Sequence, residues 1–260
     1  MTTESILLVG RETGDGRAVM ETHADRLADR AGVDGVHVAT YEDEPRRELR
    51  DAVGRCSAET VYAVPMVAAH THDTLTEIPA VLSALSGTVR YCEPLGASPA
   101  VTDVLAERGR ELVDAGPESS LILVGFGSSS KPHNRQTTDY HATRLREQSD
   151  YDSVLTCYLL QNPTVECVRY NVTTSRAVAV PLFLAATEAT ERRIPEELEL
   201  DRGAIAYADP LGDHPRVTDA IHAEVEKQRT LAVDGTDSSF EASLVRTQRP
   251  VATDGEGAPR

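Results

Sequence analysis

The sequence predicts an α/β protein of two tandem domains, each a four-stranded parallel β-sheet with helices on both faces. Short apolar runs of strand length alternate with longer segments of helical periodicity, which is the pattern of parallel sheets. The same order of segments then starts again after Gly116, because Gly125 repeats Gly10 and Pro181 repeats Pro65. A spacing that persists along the chain indicates a duplicated domain.

In the first half, four apolar runs have the length and the flanking residues of buried strands. Between them lie segments with apolar residues at helical spacing, each closed by glycine, proline or charged residues. The predicted strands cover about residues 5–9, 35–40, 60–64 and 89–92, and the predicted helices cover about 17–31, a short charged stretch after Pro45, the segment through 78–85, and 99–114.

The second half repeats this order. Strands are expected near 121–124, 154–160 and 176–180, and the turn Pro94-Leu95-Gly96 returns as Pro210-Leu211-Gly212 before a last helix. We therefore predict domains at residues 1–115 and 116–233. Gly, Ser, Thr and Asp dominate residues 234–260 without apolar periodicity, so we expect a disordered acidic tail there.

The chain is strongly acidic, with 42 Asp and Glu against 26 Lys and Arg, a net charge of −16. Lys131 and Lys227 are its only lysines. This composition is typical of a halophile's cytoplasmic protein, because molar salt screens the repulsion. It argues against nucleic acid and an anionic membrane as partners. We expect no signal peptide and no membrane span, and we expect the four cysteines to be free thiols.

In open parallel sheets, ligands bind beyond the carboxyl ends of the strands. The loop that follows the strand ending at Pro65 carries His70 and His72, and in the second half Glu188 stands where His72 stood. Imidazole suits Co, Ni, Fe and Zn better than Mg or Ca, and it also carries protons near neutral pH. We therefore predict a metal site of His70, His72 and Glu188; the alternative is a pair of surface loop histidines.

The loop at residues 125–130 is rich in glycine and serine but has neither of the two common nucleotide-binding spacings. Its backbone N–H groups, with Ser128 and Ser129, could present donors to a ligand carboxylate. A tight turn between strand and helix explains the same residues. The remaining histidines are weaker candidates, and we expect His133 and His141 to be solvated.

Several segments together resemble the class II tetrapyrrole chelatases, and most closely the CbiX/SirB-type sirohydrochlorin cobaltochelatases. The resemblance rests on the duplicated order of these segments and extends from about residue 4 to 230. The segments are Leu7-Leu8-Val9-Gly10, Leu123-Val124-Gly125-Phe126-Gly127-Ser128, Val180-Pro181-Leu182-Phe183-Leu184-Ala185 and both Pro-Leu-Gly turns.

The resemblance implies two chelatase-like, flavodoxin-like domains. It implies insertion of Co²⁺, or of a similar divalent ion, into sirohydrochlorin or a related tetrapyrrole in cobalamin-type biosynthesis. No organic cofactor is then needed, because the metal is a substrate. His70 and His72 would be the catalytic residues. A monomer would suffice, since the two halves already make a two-sided cleft, and a dimer is possible.

One departure from the family keeps a second interpretation open. The family carries a histidine directly after the glycine of the first strand, where this chain has Arg11 in the first half and Phe126 in the second. Arg11 could instead hold a substrate carboxylate through two parallel hydrogen bonds. The alternatives are a degenerate paralogue that binds metal or tetrapyrrole as a carrier or regulator, and an unrelated two-domain binding protein.

Overall fold

The computed structural model describes residues 3–233. The predicted tail at 234–260 lies outside the described residues. Two four-stranded parallel sheets are present, with strand orders β2-β1-β3-β4 and β6-β5-β7-β8. The predicted fold class is therefore confirmed. The identical order in both sheets follows from the duplication.

The first half runs β1 (Glu4–Arg11), α1 (Gly16–Ala28), β2 (Gly35–Tyr41), α2 (Pro45–Gly54), β3 (Thr60–Pro65), a π-helical turn (Asp73–Glu77), α3 (Ile78–Leu82), β4 (Thr88–Tyr91), a 3₁₀ turn (Leu95–Ala97) and α4 (Pro99–Arg110). The second half runs β5 (Ser119–Gly125), α5 (His133–Gln148), β6 (Ser153–Tyr158), α6 (Val165–Val168), a 3₁₀ turn (Arg169–Asn171), β7 (Arg176–Pro181), a π-helical turn (Ala189–Arg193), α7 (Ile194–Glu197), a 3₁₀ turn (Leu200–Arg202), β8 (Ile205–Tyr207) and α8 (Pro215–Val233).

Four helices, α1, α4, α5 and α8, lie between the sheets and join the halves. Helix α4 of the first half packs against β7, and α8 of the second half packs against β3. The last helix of each half therefore packs on the sheet of the other half. One continuous apolar cluster includes side chains from both sheets and all four inner helices. Smaller clusters lie under the outer helices α2 and α3 and under α6 and α7. Because the largest core is shared, neither sheet buries its inner face alone.

The helix predicted through residues 78–85 is only five residues long and ends at Leu82, and a π-helical turn at Asp73–Glu77 precedes it. Pro79 stands at its start, and proline has no N–H to donate to the preceding turn. Pro195 accompanies the same break in the second half. The helix predicted for 99–114 ends at Arg110. Within residues 3–233 no helix is long and apolar enough to cross a membrane.

Candidate metal-handling site between the two halves

The carboxyl edges of the two sheets meet through their loops. The Asp15 carboxylate, between β1 and α1, accepts a hydrogen bond of 2.7 Å from the backbone N–H of Ala186 beyond β7. Gly14 lies against the same backbone with φ of +56°, and a Cβ there would come within 1.7 Å of the Ala186 carbonyl oxygen. Only glycine allows this approach. The loops at the carboxyl edges of the two sheets, which we call the two rims, are therefore in direct contact.

The loops after β3 and β7 have the same internal construction. The buried Thr74 hydroxyl accepts the N–H of Thr71 at 2.8 Å and lies 3.2 Å from the Thr71 carbonyl oxygen, to which it donates. Thr190 does the same with Thr187, at 2.8 and 3.0 Å. The duplication of the sequence thus extends to the hydrogen bonds within these loops. The two loops differ in their other side chains, because Ala186 and Glu188 stand where the first half has His70 and His72.

His70 is the histidine that this construction holds in place. Its ring is buried, with Nδ1 3.2 Å from the Thr74 hydroxyl oxygen and Nε2 3.4 Å from Oε2 of Glu93. The Thr74 hydroxyl already donates to a carbonyl, so it is left to accept from Nδ1–H. That tautomer directs the Nε2 lone pair toward Glu93, as a metal-binding imidazole requires.

The separation of His70 Nε2 and Glu93 Oε2 suits a single divalent ion. An ion about 2.1 Å from both atoms would make an angle of about 110° between them, which is close to tetrahedral. Glu93 is also accessible, with a side chain that is 38% exposed. Ala186 and Asp209 occupy the matching positions of the second half, so only the first half offers this pair.

His133, a residue of the second half, also contacts His70. The His133 ring, at the start of α5, meets the His70 ring edge to face, with centroids 5.8 Å apart. Burial lowers the pKa of His133, and the neighbouring His70 and Lys131 lower it further against the opposing effect of Glu93. His133 is therefore neutral near pH 7 and can bind a metal ion or accept a proton.

The loop that carries Glu93 is also fixed from the second half. The Glu93 backbone N–H donates to the Glu224 carboxylate of α8 at 3.2 Å, and His141 of α5 lies 2.5 Å from the Gly96 carbonyl oxygen. The sequence expectation that His141 is solvated is wrong, because its ring is fully buried between α4 and α5. A single histidine in a polar segment gives no sequence signal for such a contact.

His72 and Glu188 lie apart from this pair. The His72 side chain is 64% exposed, with Nε2 3.7 Å from Glu77. Glu188 is 74% exposed and pairs with Arg192 one turn along its own helix. Within residues 3–233 no three His, Cys, Asp or Glu side chains are arranged to hold a metal ion. His70, His72 and Glu188 thus do not form a ready-made three-ligand site, and their metal role stays a prediction.

The predicted substrate-binding residues have partners of their own. Arg11 donates to the Glu42 carbonyl at 2.7 Å and pairs with Asp43 at 3.1 Å, with its side chain about half exposed. The Ser128 backbone N–H donates to the Gln161 side chain at 2.9 Å.

The Ser128 hydroxyl accepts hydrogen bonds from the backbone N–H groups of residues 130 and 131. These groups hold the loop in shape, whereas the neighbouring Ser129 is exposed. The role of these serines in substrate binding stays a prediction.

Two hollows of the surface lie elsewhere. One of about 380 Å³ is at the amino ends of the first sheet's strands, beside Glu4, Tyr62 and Arg229. Another of about 320 Å³ lies over α1 and β2, beside Arg17 and His37. Neither includes His70 or Glu93.

Solved structures share this architecture. A structure of SirB from Bacillus subtilis with Fe³⁺ superposes with a TM-score of 0.71, covering 90% of this chain and 99% of that chain at 19% identity. A multi-domain protein of Deinococcus radiodurans with structural similarity to chelatases gives a TM-score of 0.69 at 22% identity, over 88% of this chain and 56% of that one. These likenesses show the fold. Together with the contact between the two halves they define a two-domain α/β protein with a chelatase-like fold.

The chain belongs to the CbiX family, whose model matches residues 5–112 and again residues 120–228. It is 24% identical to a probable sirohydrochlorin cobaltochelatase of Halobacterium salinarum, over 77% of this chain and 82% of that protein. It is 32% identical to a sirohydrochlorin ferrochelatase of Priestia megaterium, over 65% of this chain and 68% of that protein. The family is therefore that of the sirohydrochlorin metal chelatases, and its relatives include both cobalt and iron enzymes.

Proposed function

We propose that this protein inserts Co²⁺, or a similar divalent ion, into sirohydrochlorin or a related tetrapyrrole. The observation that carries the proposal is the pairing of His70 Nε2 with Glu93 Oε2 at 3.4 Å, with the His133 ring against His70. A chelatase must release its ion again. An incomplete ligand set suits a metal that is a substrate, because the macrocycle nitrogens supply the remaining ligands.

The reaction exchanges one divalent ion for two pyrrole protons. His70 and Glu93 would hold the ion through one nitrogen and one oxygen, and the macrocycle would replace them in turn. His133, neutral because burial lowers its pKa, would accept a proton, and the Glu93 carboxylate would accept another once the metal has left it. His72, on the exposed side of the same loop, would receive the ion from solvent.

Insertion is tested by following the absorption spectrum of sirohydrochlorin with Co²⁺ in molar KCl. We expect the wild type to exceed the uncatalysed rate and His70→Ala to lose about 100-fold or more of that rate, because it removes the nitrogen ligand of the ion and the ring against which the proton acceptor His133 packs. His72→Ala should lose less, roughly tenfold, because this side chain is exposed and contacts only Glu77. An equal loss of rate in His70→Ala and His72→Ala would indicate that the ion lies between His70 and His72 rather than between His70 and Glu93.

A second candidate function is a carrier or regulator that binds metal or tetrapyrrole without inserting the ion. Arg11 favours it, because this side chain stands where the family carries histidine and is engaged by Asp43 and the Glu42 carbonyl. Binding of Co²⁺ and of sirohydrochlorin with no insertion above background would support the carrier. Measured insertion would reject it.

The choice of ion is tested by competition. Imidazole with one carboxylate accepts Co²⁺, Ni²⁺ and Fe²⁺. Cobalt is supported by the likeness to the Halobacterium salinarum relative, and iron by the likeness to the Priestia megaterium relative. We expect Co²⁺ to be inserted faster than Fe²⁺ under anaerobic conditions at equal free concentration. The reverse order would make the protein a ferrochelatase.

A further inference from the structure

Glu93 begins the loop that follows β4, an edge strand of the first sheet. The N–H of the preceding Cys92 donates to the Ala63 carbonyl of β3 at 2.9 Å. Pro94 follows Glu93 and restricts it to extended backbone conformations. The next N–H along the chain, that of Glu93, donates to Oε1 of Glu224 at 3.2 Å. The backbone position of Glu93 is therefore set in part by a side chain of α8, in the other half.

Glu224 is a largely buried carboxylate, with a side chain that is 15% exposed. Burying an ionised carboxylate is costly unless hydrogen bonds and an opposite charge compensate. Lys227 supplies the charge at 2.9 Å and Gln228 donates at 3.1 Å, and both lie about one turn further along α8. These local partners hold the carboxylate in place, so it presents a fixed acceptor to the Glu93 N–H.

The equivalent helix of the first half carries a different side chain at this position. Arg108 of α4 stands where α8 has Glu224. A guanidinium has N–H donors and no acceptor, so it cannot accept a hydrogen bond from the Asp209 backbone. The half that carries the pair of His70 and Glu93 is therefore also the half whose loop is held by a carboxylate of the other half.

We propose that Glu224 is a positioning residue for metal handling, because it holds the backbone of Glu93 so that the Glu93 carboxylate stays opposite His70. This inference rests on the proposed function. The 3.4 Å between His70 Nε2 and Glu93 Oε2 depends on two separate loops, and one ion contacts both atoms only over a narrow range of separations. His133, which contacts His70, also belongs to the second half. The second half thus acts on both members of the pair.

The negative charge of Glu224 offers a competing explanation. A carboxylate attracts a nearby cation whether or not it fixes the Glu93 backbone. The two explanations predict different results for glutamine at this position, because glutamine keeps an oxygen that accepts the Glu93 N–H but carries no charge. Alanine removes both the acceptor and the charge.

The test measures the Kd for Co²⁺ on the full chain in molar KCl, without the macrocycle. We expect Glu224→Ala to raise the Kd about tenfold, as other residues that orient a metal ligand do when they are removed. Glu224→Gln should stay within about twofold of the wild type, because its oxygen still accepts the Glu93 N–H. Denaturant unfolding checks that both variants are folded. An equal rise of the Kd in both would assign the effect to charge and overturn the proposal.

Glu226→Ala is the matched control. Glu226 lies on the same helix, two residues beyond Glu224, and its carboxylate pairs with Arg229. This change removes one negative charge from α8 without touching the Glu93 loop, so the Kd for Co²⁺ should not change. If Glu226→Ala weakens Co²⁺ binding as much as Glu224→Ala does, the contact with Glu93 is not the cause.

A double variant tests whether Glu224 acts through Glu93. With Glu93→Gln the anionic oxygen is already absent, so adding Glu224→Ala should raise the Kd by less than Glu224→Ala does alone. Effects that multiply in full would show that Glu224 acts independently of Glu93 and would reject the positioning role.

The single variants separate this proposal from the one on which it rests. If Glu93→Gln raises the Kd and Glu224→Ala does not, the positioning role is rejected and the proposed function stands. If Glu93→Gln leaves the Kd unchanged, the ion is not held by His70 and Glu93, and the positioning role is rejected together with that assignment.

Discussion

The side chains of His23 and Thr218 meet at 2.8 Å although 195 residues separate them in the chain. His23 Nε2 lies 3.1 Å from the Gly212 carbonyl oxygen, so Nε2 donates there and Nδ1 accepts from the threonine hydroxyl. His141 repeats the arrangement with Thr102 and the Gly96 carbonyl, at 2.8 and 2.5 Å. Each buried histidine joins a helix of one half to a loop and helix of the other.

These two histidines make the fold sensitive to acid. Burial lowers the pKa of His23 and of His141 to about 4. In the unfolded chain they titrate near pH 6.5, so their contribution is fully present above that pH and is lost as the pH falls from 6.5 toward 4. The loss is about 3 kcal/mol for each histidine.

Denaturant unfolding at several pH values tests this. The double variant His23→Gln with His141→Gln should be less stable at pH 7 and should lose less stability between pH 6.5 and 4 than the wild type. His222→Gln, on the surface of α8, is the control and should leave the pH profile unchanged. An unaltered profile in the double variant would mean that other groups cause the acid sensitivity.

Changing Glu93 should affect the metal and not the fold. Glu93→Gln keeps the size of a half-exposed side chain but removes the anionic oxygen that faces His70 Nε2 at 3.4 Å. We expect the Kd for Co²⁺ to rise at least about tenfold, as expected when a metal loses an oriented partner. Asp209→Asn, at the matching position of the second half, should bind Co²⁺ normally. An equal effect of both variants would indicate a general loss of negative potential.

Variants of Thr74 and Thr190 distinguish a role in the stability of the loop from a role in orienting His70. Thr74→Val and Thr190→Val each remove a buried hydroxyl from the same hydrogen bonds and should each cost about 1–3 kcal/mol of unfolding free energy. Only Thr74 also contacts His70. We therefore expect Thr74→Val to lower the rate of Co²⁺ insertion and Thr190→Val to leave it near the wild-type rate. Comparable rates in the two variants would contradict a role for Thr74 in orienting His70.

Gly96 allows the loop of Glu93 to lie on the loop of His70. A Cβ at Gly96 would come within 2.0 Å of the Ala68 carbonyl oxygen, so Gly96→Ala must displace backbone and should cost roughly 1–3 kcal/mol. At Gly54, at the end of α2, a Cβ meets nothing within 4 Å, and Gly54→Ala should cost little or nothing. Thermal unfolding of both variants checks this, and equal midpoints would contradict the close approach.

Salt should stabilise the whole molecule. With a net charge of −16, the folded chain repels itself more strongly than the expanded chain does, and added KCl screens this repulsion. We expect the midpoint of thermal unfolding to rise as KCl increases from 0.1 M to molar concentration. A midpoint that does not change with salt would count against the halophilic interpretation of the composition.

The fold class could be predicted because its signals are local and repeated. Strand length, helical spacing and the matched Pro65 and Pro181 are all read along the chain. The site could be predicted only in part. The place of His70 after a strand makes it a candidate from the sequence, but Glu93 and His133, which contact it, are 23 and 63 positions further on and follow no spacing rule. The burial of His141 was missed for the same reason.

The sequence by itself determined two parallel sheets, their duplication and the rim on which His70 stands, because periodicity and loop position depend on neighbours in the chain. Only the tertiary structure decided that α4 and α8 exchange sheets and that His70 faces Glu93 beside His133. Only the tertiary structure decided that His72 and Glu188 lie apart from that pair, beside Glu77 and Arg192. Those contacts depend on how one half packs on the other, which is a property of shape and of buried hydrogen bonds rather than of residue order.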